Sequence, residues 1–217
     1  MIHPHTEIRF INDKVGYGVV ATKFIPKGTI TWALDKLDRI FTPRQIRGMH
    51  KLYKNILDTY TYRNAKGNYV LCWDNARFVN HSSNSNCITT AYEFELAVRD
   101  IQAGEELTDD YGYLNLEEAF DVLPEAGTDR TTVYPDDLLR LYPLWDAKLL
   151  EAMRVFGQVH QPLLHLLESD VLEKVNNITK GTVQMDSILH CYAGLKKLNG
   201  KINEIAEHRQ ANIAYPF

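Results

Sequence analysis

The sequence predicts a mixed α+β fold, with short strands in its first half and helices in its second. Up to about residue 115, segments in which polar and apolar residues alternate are separated by turns rich in Gly and Pro. Beyond about residue 116, apolar residues recur at three- and four-residue spacing instead. The predicted organisation is a first domain at 1–115, with a helical insert near 42–58, and an all-helical C-terminal region at 116–217.

The elements of the first half follow from local patterns. Gly16-Tyr17-Gly18 interrupts the first alternating run, so a second strand is expected after it. Thr42 followed by Pro43 is typical of a helix N-cap and first helical position, and one helix is expected to continue to about residue 58. Alternation, or β-branched and aromatic residues, predicts strands at 7–11, 19–21, 29–33 and 69–73 and two more within 88–101.

The second half is interpreted as helices joined by loops. Pro143 is expected to close the first helix, because proline lacks the N–H that a helix interior needs. Asp146 is a suitable N-cap for the second helix. The Gly-, Pro-, Asp- and Thr-rich stretch at 120–135 is expected to be a loop. The predicted helices lie at 136–141, 147–158 and 162–175, with a longer one past Gly181.

The last predicted helix carries an apolar stripe. Ile188, Leu195 and Ile202 recur every seven residues, with Tyr192 and Ile205 on the same face. Packing against the chain's own domain is the first interpretation of this stripe. A homodimer through the C-terminal helices is the alternative.

Composition disfavours several classes of protein. There are 24 Lys and Arg residues against 28 Asp and Glu, a net charge of −4, so direct nucleic-acid binding is not expected. The three cysteines are far apart and form no CxxC pair, so neither a disulfide scaffold nor a metal site is expected. No apolar run approaches the roughly 18 residues of a membrane span, and no signal peptide is visible. A cytoplasmic protein is therefore expected, with nuclear residence or secretion as an effector as alternatives.

Three segments carry residues suited to chemistry. Taken alone, Gly16-Tyr17-Gly18 is typical of a bulge between strands, and the acidic residues within 105–110 are typical of a solvated turn. Their order and spacing together are much more specific. The segments are Gly16-Tyr17-Gly18, Arg77-Phe78-Val79-Asn80-His81-Ser82 and Gly104-Glu105-Glu106-Leu107-Thr108-Asp109-Asp110-Tyr111.

Over roughly residues 5–115, this combination resembles the SET-domain family of protein lysine methyltransferases. The resemblance implies a compact β fold of small sheets with a pseudoknot, in which the Asn-His segment and the terminal Tyr segment lie side by side. It also implies S-adenosyl-L-methionine as cofactor and a protein substrate with a target lysine, histones included. In the family, the insert near 42–58 contributes to the substrate groove.

The resemblance assigns roles to single residues. Tyr111 would be catalytic, at the point of methyl transfer; the alternative is a buried strand tyrosine. For Arg77, a surface ion pair is an equal alternative. The cofactor site implied by the resemblance comprises Gly16, Tyr17, Gly18, Arg77, Asn80, His81 and Tyr111.

The expected substrate channel comprises Asp109, Tyr113 and Tyr62. Tyr60 is a further candidate for a pocket wall, and a role in the core is equally open for it and for Tyr62. Asp109 stands where the family usually has an aromatic residue that sets how many methyl groups fit. A carboxyl group there is expected to hold a water or attract the substrate ammonium, which leaves the number of methyl groups open.

A second departure concerns the end of the channel. Many family members close it with a zinc-binding cysteine cluster, but no cysteine lies between Cys87 and Cys191. Residues 116–145 are expected to close it instead. The candidates for the aromatic wall, with helix packing as the alternative for each, are Phe120, Tyr134, Tyr142 and Trp145.

Two functions remain open from the sequence. The first is methyl transfer from S-adenosyl-L-methionine to the ε-amine of lysine in a protein. The second is a catalytically weak SET module that acts as a protein-binding or scaffold protein. Asn80, His81 and Tyr111 favour the first, whereas Asp109 and the missing cysteine cluster leave room for the second.

Overall fold

The computed structural model describes residues 1–195. Its strands are short and belong mainly to the first two thirds of the chain, as the alternating patterns predict. In chain order they are β1 (Thr6–Asn12), β2 (Gly16–Ala21), β3 (Ile30–Ala33), β4 (Arg39–Phe41), β5 (Thr61–Arg63), β6 (Tyr69–Leu71), β7 (Asn80–His81), β8 (Cys87–Thr89), β9 (Phe94–Ala97), β10 (Glu106–Asp109), β11 (Phe120–Asp121) and β12 (Thr132–Val133).

Helices occur in the insert and in the C-terminal part. The α-helices of the described residues are α1 (Pro43–Arg47), α2 (Lys51–Tyr60), α3 (Asp137–Val155) and α4 (Ser169–Thr179). Single turns of 3₁₀ helix lie at Asn75–Phe78, Tyr111–Tyr113, Phe156–Gln158, Leu164–Leu166 and Ile188–Cys191.

The strands form four small sheets. One has the order β1-β2-β10-β7, and its β10 and β7 are parallel, with Thr108 opposite Asn80 and Asp109 opposite His81. The others are ordered β3-β9-β8, β4-β6-β5 and β11-β12, and their pairs are antiparallel. Small mixed sheets followed by helices are the α+β fold that the sequence predicts.

The insert begins as predicted but is divided in two. Thr42 caps α1 by a reciprocal capping box with Gln45, and Pro43 is the first helical residue. Gly48 ends α1, and His50 starts α2 by accepting a hydrogen bond from the Leu52 N–H. The prediction of a single helix is therefore wrong, because Gly48 and the new N-cap at His50 separate α1 from α2.

The prediction that Pro143 closes a helix is also wrong. The helix α3 runs through Pro143, and the helix expected to start after Asp146 is its second half. Leu138 lies before the proline and Trp145 and Leu149 after it, and all three are buried in one core. Burial of this stripe outweighs the backbone hydrogen bond that the proline removes.

Two further predictions for the C-terminal part need correction. Residues 120–135 contain β11 and β12, which pair as an antiparallel ribbon, so strands do not stop at residue 116. The helix expected past Gly181 is only a 3₁₀ turn at Ile188–Cys191 over residues 181–194. Ile188 is fully buried in the main core and Tyr192 packs against it, as the first interpretation of the stripe expects. The stripe residues Ile202 and Ile205 lie outside the described residues.

The main hydrophobic core joins the two halves of the chain. Phe94 and Leu96 of β9 lie in the same buried cluster as Trp145 and Leu149 of α3. A second cluster lies between the sheets and includes Val19, Trp32 and Leu107. The helices therefore pack directly on the sheets that hold the motif segments, while the domain boundary at 115 stays a prediction.

Candidate active site

The Asn-His segment and the Tyr segment lie side by side, as the resemblance implies. Their strands β7 and β10 are parallel neighbours. Beyond the strands, the Ser82 N–H donates to the Asp109 carbonyl at 2.9 Å. The Tyr111 N–H donates to His81 Nδ1 at 3.1 Å. Two segments thirty residues apart in sequence are thereby held in register beside one another.

Tyr111 occupies the centre of this arrangement. Its hydroxyl donates to the Val79 carbonyl at 2.7 Å, and its ring lies beside those of His81 and Phe120. Burial, followed by the negative charges of Asp109 and Glu106, raises the pKa of Tyr111. The hydroxyl is therefore protonated at neutral pH and can orient a ligand without acting as a base.

His81 supports Tyr111 rather than offering a second base. Its Nδ1 accepts the Tyr111 N–H, so the proton of the neutral ring is on Nε2, 3.2 Å from Ser83 Oγ. Burial lowers the pKa of His81, although the nearby Asp110 carboxylate opposes the shift. The imidazole is thus neutral and fixed in one tautomer.

The Gly-x-Gly segment meets Asn80 at the start of β10. Asn80 donates through Nδ2 to the Tyr17 carbonyl at 3.1 Å and to Glu106 Oε1 at 2.7 Å. A Cβ on Gly18 would lie 2.2 Å from that Glu106 oxygen. We call Gly16, Gly18, Asn80 and Glu106 the motif cluster.

Glycine is suited to the two positions of the motif cluster for different reasons. At Gly18 the chain's own packing favours glycine, because a Cβ would meet the Glu106 side chain, while the close approach to a cofactor that the resemblance implies stays a prediction. Gly16 has φ +76° with open space where a Cβ would lie, so its backbone is accessible to a ligand. Tyr17 between them is 57% exposed and packs edge-on against Phe10.

A cavity of about 650 Å³ lies next to Tyr111. This volume is typical of a site for a cofactor or a drug-sized ligand. The aromatic residues of its wall are Trp32, Tyr60, Tyr62, Tyr69, Tyr111 and Phe120. Its charged wall residues are Asp58, Arg63, Arg77, Glu95, Asp109, Glu117 and Glu118. With more carboxyl groups than guanidinium groups in its wall, the cavity favours cationic ligands.

The structure divides the predicted cofactor residues. Arg77 and Tyr111 line the cavity, and the Arg77 guanidinium lies over the Phe78 ring and forms no ion pair with the residues that the structure describes. The other five are Gly16, Tyr17, Gly18, Asn80 and His81, none of which lines it. The first three of these lie on β2, and Asn80 and His81 form β7.

The predicted channel residues also differ in position. Asp109 and Tyr62 line the cavity, and the Tyr62 ring packs edge-on against Trp32. Tyr113 does not line it, because its ring is buried edge-on against Trp145. Its hydroxyl nevertheless reaches Asp109 Oδ1 at 2.7 Å from behind the wall.

Phe120 is the one of the four aromatic candidates that closes the cavity. It projects from β11, a strand that sequence patterns did not predict, and lies next to Tyr111 and His81. Trp145 is buried and Tyr142 partly buried in the helical core. Tyr134 is exposed beneath the Arg140 guanidinium.

Glu95 is a site residue that sequence reasoning missed. Its carboxyl group lies within hydrogen-bonding reach of that of Asp109 on the cavity wall. The segment 92–95 alternates aromatic and acidic residues, which suggests an exposed acidic face. In the structure Glu93 is exposed, but Glu95 faces the cavity. The position of Glu95 follows from the approach of the β1-β2-β10-β7 sheet to β9, which no local sequence pattern indicates.

No group of three or more His, Cys, Asp or Glu side chains within residues 1–195 is arranged to hold a metal ion. In the same residues, no helix combines the length and apolar character that crossing a bilayer requires.

Residues 16–112 match the family model of the SET domain. The chain therefore carries a SET domain, and all three motif segments fall within the matched residues. SET domains are in general protein lysine methyltransferases. No protein of curated function matches the sequence.

Proposed function

We propose that this protein transfers a methyl group from S-adenosyl-L-methionine to the ε-amine of lysine in a protein substrate. The observation that carries the proposal is the position of Tyr111, held against the Asn-His segment with its ring in the wall of an acidic cavity. The SET domain at 16–112 gives the class of chemistry.

The cavity suits both reactants. The cofactor supplies an activated methyl group on a positively charged sulfonium, and lysine enters as an ammonium. A carboxylate in the cavity wall, such as that of Asp109, stabilises positive charge more strongly than it would in bulk water. Phe120 and Tyr60 provide flat apolar surface of the kind that binds an adenine ring or an alkyl chain.

Tyr111 would align the reacting groups. Its hydroxyl hydrogen is held by the Val79 carbonyl, which leaves the oxygen lone pairs to accept a hydrogen bond from the attacking amine. Alignment of two reactants can supply roughly 7–11 kcal/mol of a barrier, so no strong base is needed at this position.

The substrate is proposed only by chemical class. A mildly acidic chain with an acidic cavity is suited to a basic protein segment, and histone tails are one example. The cytoplasm is proposed as the site of action, and a homodimer through the C-terminal helices stays a prediction.

The test is methyl transfer from labelled S-adenosyl-L-methionine to core histones and to cell lysate. Wild type should label a protein lysine, and Tyr111→Phe should lower the initial rate at least about tenfold, because it loses the aligning oxygen. Tyr134→Phe removes an exposed hydroxyl outside the cavity and serves as the matched control.

Calorimetry of cofactor binding separates the outcomes. Cofactor binding with no label on any protein would favour the catalytically weak SET module that binds proteins. Failure of the wild type to bind S-adenosyl-L-methionine would overturn the proposal. Equal rates for Tyr111→Phe and wild type would remove Tyr111 from the catalytic residues.

A further inference from the structure

Two carboxyl groups from different sheets meet in the cavity wall. Glu95 lies on the central strand of the β3-β9-β8 sheet, and Asp109 is the last residue of β10. Asp109 is only 5% exposed, while Glu95 is half-buried because it faces the cavity. The two groups line the same cavity within hydrogen-bonding reach of each other, and Tyr113 donates its hydroxyl to Asp109 from behind.

This carboxyl pair has no cationic partner among the described residues. None of the ion pairs in residues 1–195 involves Glu95 or Asp109, whereas the adjacent Asp110 is paired with Arg130. Burial of an unpaired carboxylate is costly, and such groups occur mainly where function uses them. The open side of the pair is the cavity, where a cationic substrate group would enter.

The surroundings divide the roles within the pair. Burial, and then the Asp109 charge, raises the pKa of Glu95 well above its usual value. Glu95 is thus the protonated partner that donates the hydrogen bond. Burial also raises the pKa of Asp109, to about 6, although the bonds from Glu95 and Tyr113 oppose the shift. At neutral pH the pair therefore holds one proton and one negative charge.

Resting on the proposed function, we infer that Asp109 accepts a proton from the lysine ammonium and that Glu95 is the positioning residue that holds the accepting carboxylate. An N–H bond of the ammonium breaks and an O–H bond forms on Asp109. The amine lone pair then forms the N–C bond to the methyl group, while the C–S bond breaks and its electron pair stays on sulfur. The product is a methylated ammonium, and the proton on Asp109 later passes to water.

The raised pKa of Asp109 makes this transfer more accessible. A free lysine has a pKa of about 10.4, far above that of an ordinary carboxyl group near 3.9. Burial brings the two values closer from both sides, because it lowers the pKa of an ammonium and raises that of a carboxyl group. Asp109 at about 6 is therefore a better acceptor than a solvated aspartate.

Several titratable groups face the pair and enter its pH dependence. Asp110 raises the pKa of Asp109 by like charge. The phenol and thiol groups near the pair stay protonated, because burial raises the pKa of each. These groups are Tyr62, Cys72, Cys87, Tyr111 and Tyr113. In the neutral range, Asp109 is then the member of the group that gains and loses a proton.

The experiment measures initial methyl-transfer rates from pH 5 to pH 10. Core histones, or the lysate protein labelled in the assay above, serve as methyl acceptor. Wild type should become faster as pH rises through about 6, where Asp109 ionises, and then level off. Asp109→Asn should be at least about thirtyfold slower at pH 7, and its rate should rise about tenfold per pH unit up to about pH 10 as free lysine amine forms.

Glu95 is tested by a matched pair of variants. Glu95→Gln keeps an N–H that can donate to Asp109 and should stay within about threefold of wild type. Glu95→Leu has no donor and should move the inflection to higher pH, because the bond from Glu95 lowers the pKa of Asp109. Glu173→Gln, on the exposed side of α4, controls for the loss of a carboxyl group elsewhere.

The outcomes separate this inference from the proposed function. If wild type transfers label and Asp109→Asn follows the same pH profile at a similar rate, the inference is overturned and the methyltransferase stands. Equal profiles for Glu95→Leu and Glu95→Gln would remove Glu95 as a positioning residue. If wild type binds no S-adenosyl-L-methionine by calorimetry, the proposed function is wrong and the inference falls with it.

Discussion

The two ends of strand β10 differ in how their carboxyl groups are used. At its start, Glu106 accepts a hydrogen bond from Asn80 and lies against Gly18, so the motif cluster is closed by the chain itself. At its end, Asp109 faces a cavity beside Glu95 and lacks a cationic partner among the described residues. Carboxyl groups of one motif thus hold the chain together at one end of the strand and face the cavity at the other.

This difference predicts opposite responses to substitution. The closed end should lose stability when a side chain is changed, because the Asn80 amide already donates to both Tyr17 and Glu106. Substitution of a carboxyl group at the open end should instead raise stability and lower activity, because burying an unpaired charge destabilises the folded state.

The largest expected effect comes from the support behind the open end. Arg130 pairs with the buried carboxylates of Asp110 and Asp137 and so joins the Tyr111 turn to α3. Arg130→Ala leaves both charges buried and should lower the free energy of unfolding by about 3–5 kcal/mol in urea titrations. The half-exposed Arg140, which also pairs with Asp137, is the control: Arg140→Ala should cost below about 1 kcal/mol.

The second effect is a pH-dependent gain in stability for Asp109→Asn at the open end. The pKa of Asp109 rises from 3.8 to about 6 on folding, so the folded state binds more protons than the unfolded state between these values. The carboxyl therefore costs stability progressively as pH rises from about 4 to about 6. Relative to Asp109→Asn, wild type should lose about 3 kcal/mol across this window in urea titrations at each pH. A constant difference from pH 3 to pH 8 would contradict this.

The third effect distinguishes the two glycines at the closed end. Gly18→Ala should cost about 1–3 kcal/mol through overpacking, because its Cβ would meet Glu106. Glu106→Ala removes the nearest atom, so Gly18→Ala should cost less in that background. Gly16→Ala, whose cost arises from positive φ alone, should cost the same in both backgrounds. If Glu106→Ala changed the cost of Gly16→Ala as much as that of Gly18→Ala, the two glycines would not differ in the proposed way.

The smallest effect is at the rim of the closed end. Tyr17 is 57% exposed and contacts the exposed Phe10, so Tyr17→Ala should change stability by less than about 0.5 kcal/mol. If the open space beside Gly16 is part of the cofactor site, the same variant should weaken S-adenosyl-L-methionine binding in calorimetry. Unchanged affinity would place the cofactor entirely within the cavity lined by Arg77 and Tyr111.

Local signals in the sequence predicted local structure well. Thr42 and Pro43 start a helix with their own side chain and ring, and the alternation at 7–11 lies within β1. By contrast, β7 is two residues long and exists because β10, more than twenty residues later, pairs with it. No pattern within two residues can indicate such a partner.

The site was predictable where a motif fixed a residue, and not where packing did. Tyr111 and Asp109 were found from the Tyr segment, and both line the cavity. Tyr113 belongs to the same segment but faces Trp145, because successive residues of the turn point in different directions. Glu95 lies outside every motif and enters the site only through the approach of two sheets.

The contact between Tyr113 and Trp145 has a consequence for how the protein melts. The two rings meet edge-on at 5.1 Å between centroids, inside a core shared by β9 and α3. Segments with a common core open together, because separating them exposes apolar surface on both. Heating should therefore give one calorimetric transition rather than two. Amides of α3 and of the β3-β9-β8 sheet should then share the slowest class of hydrogen exchange.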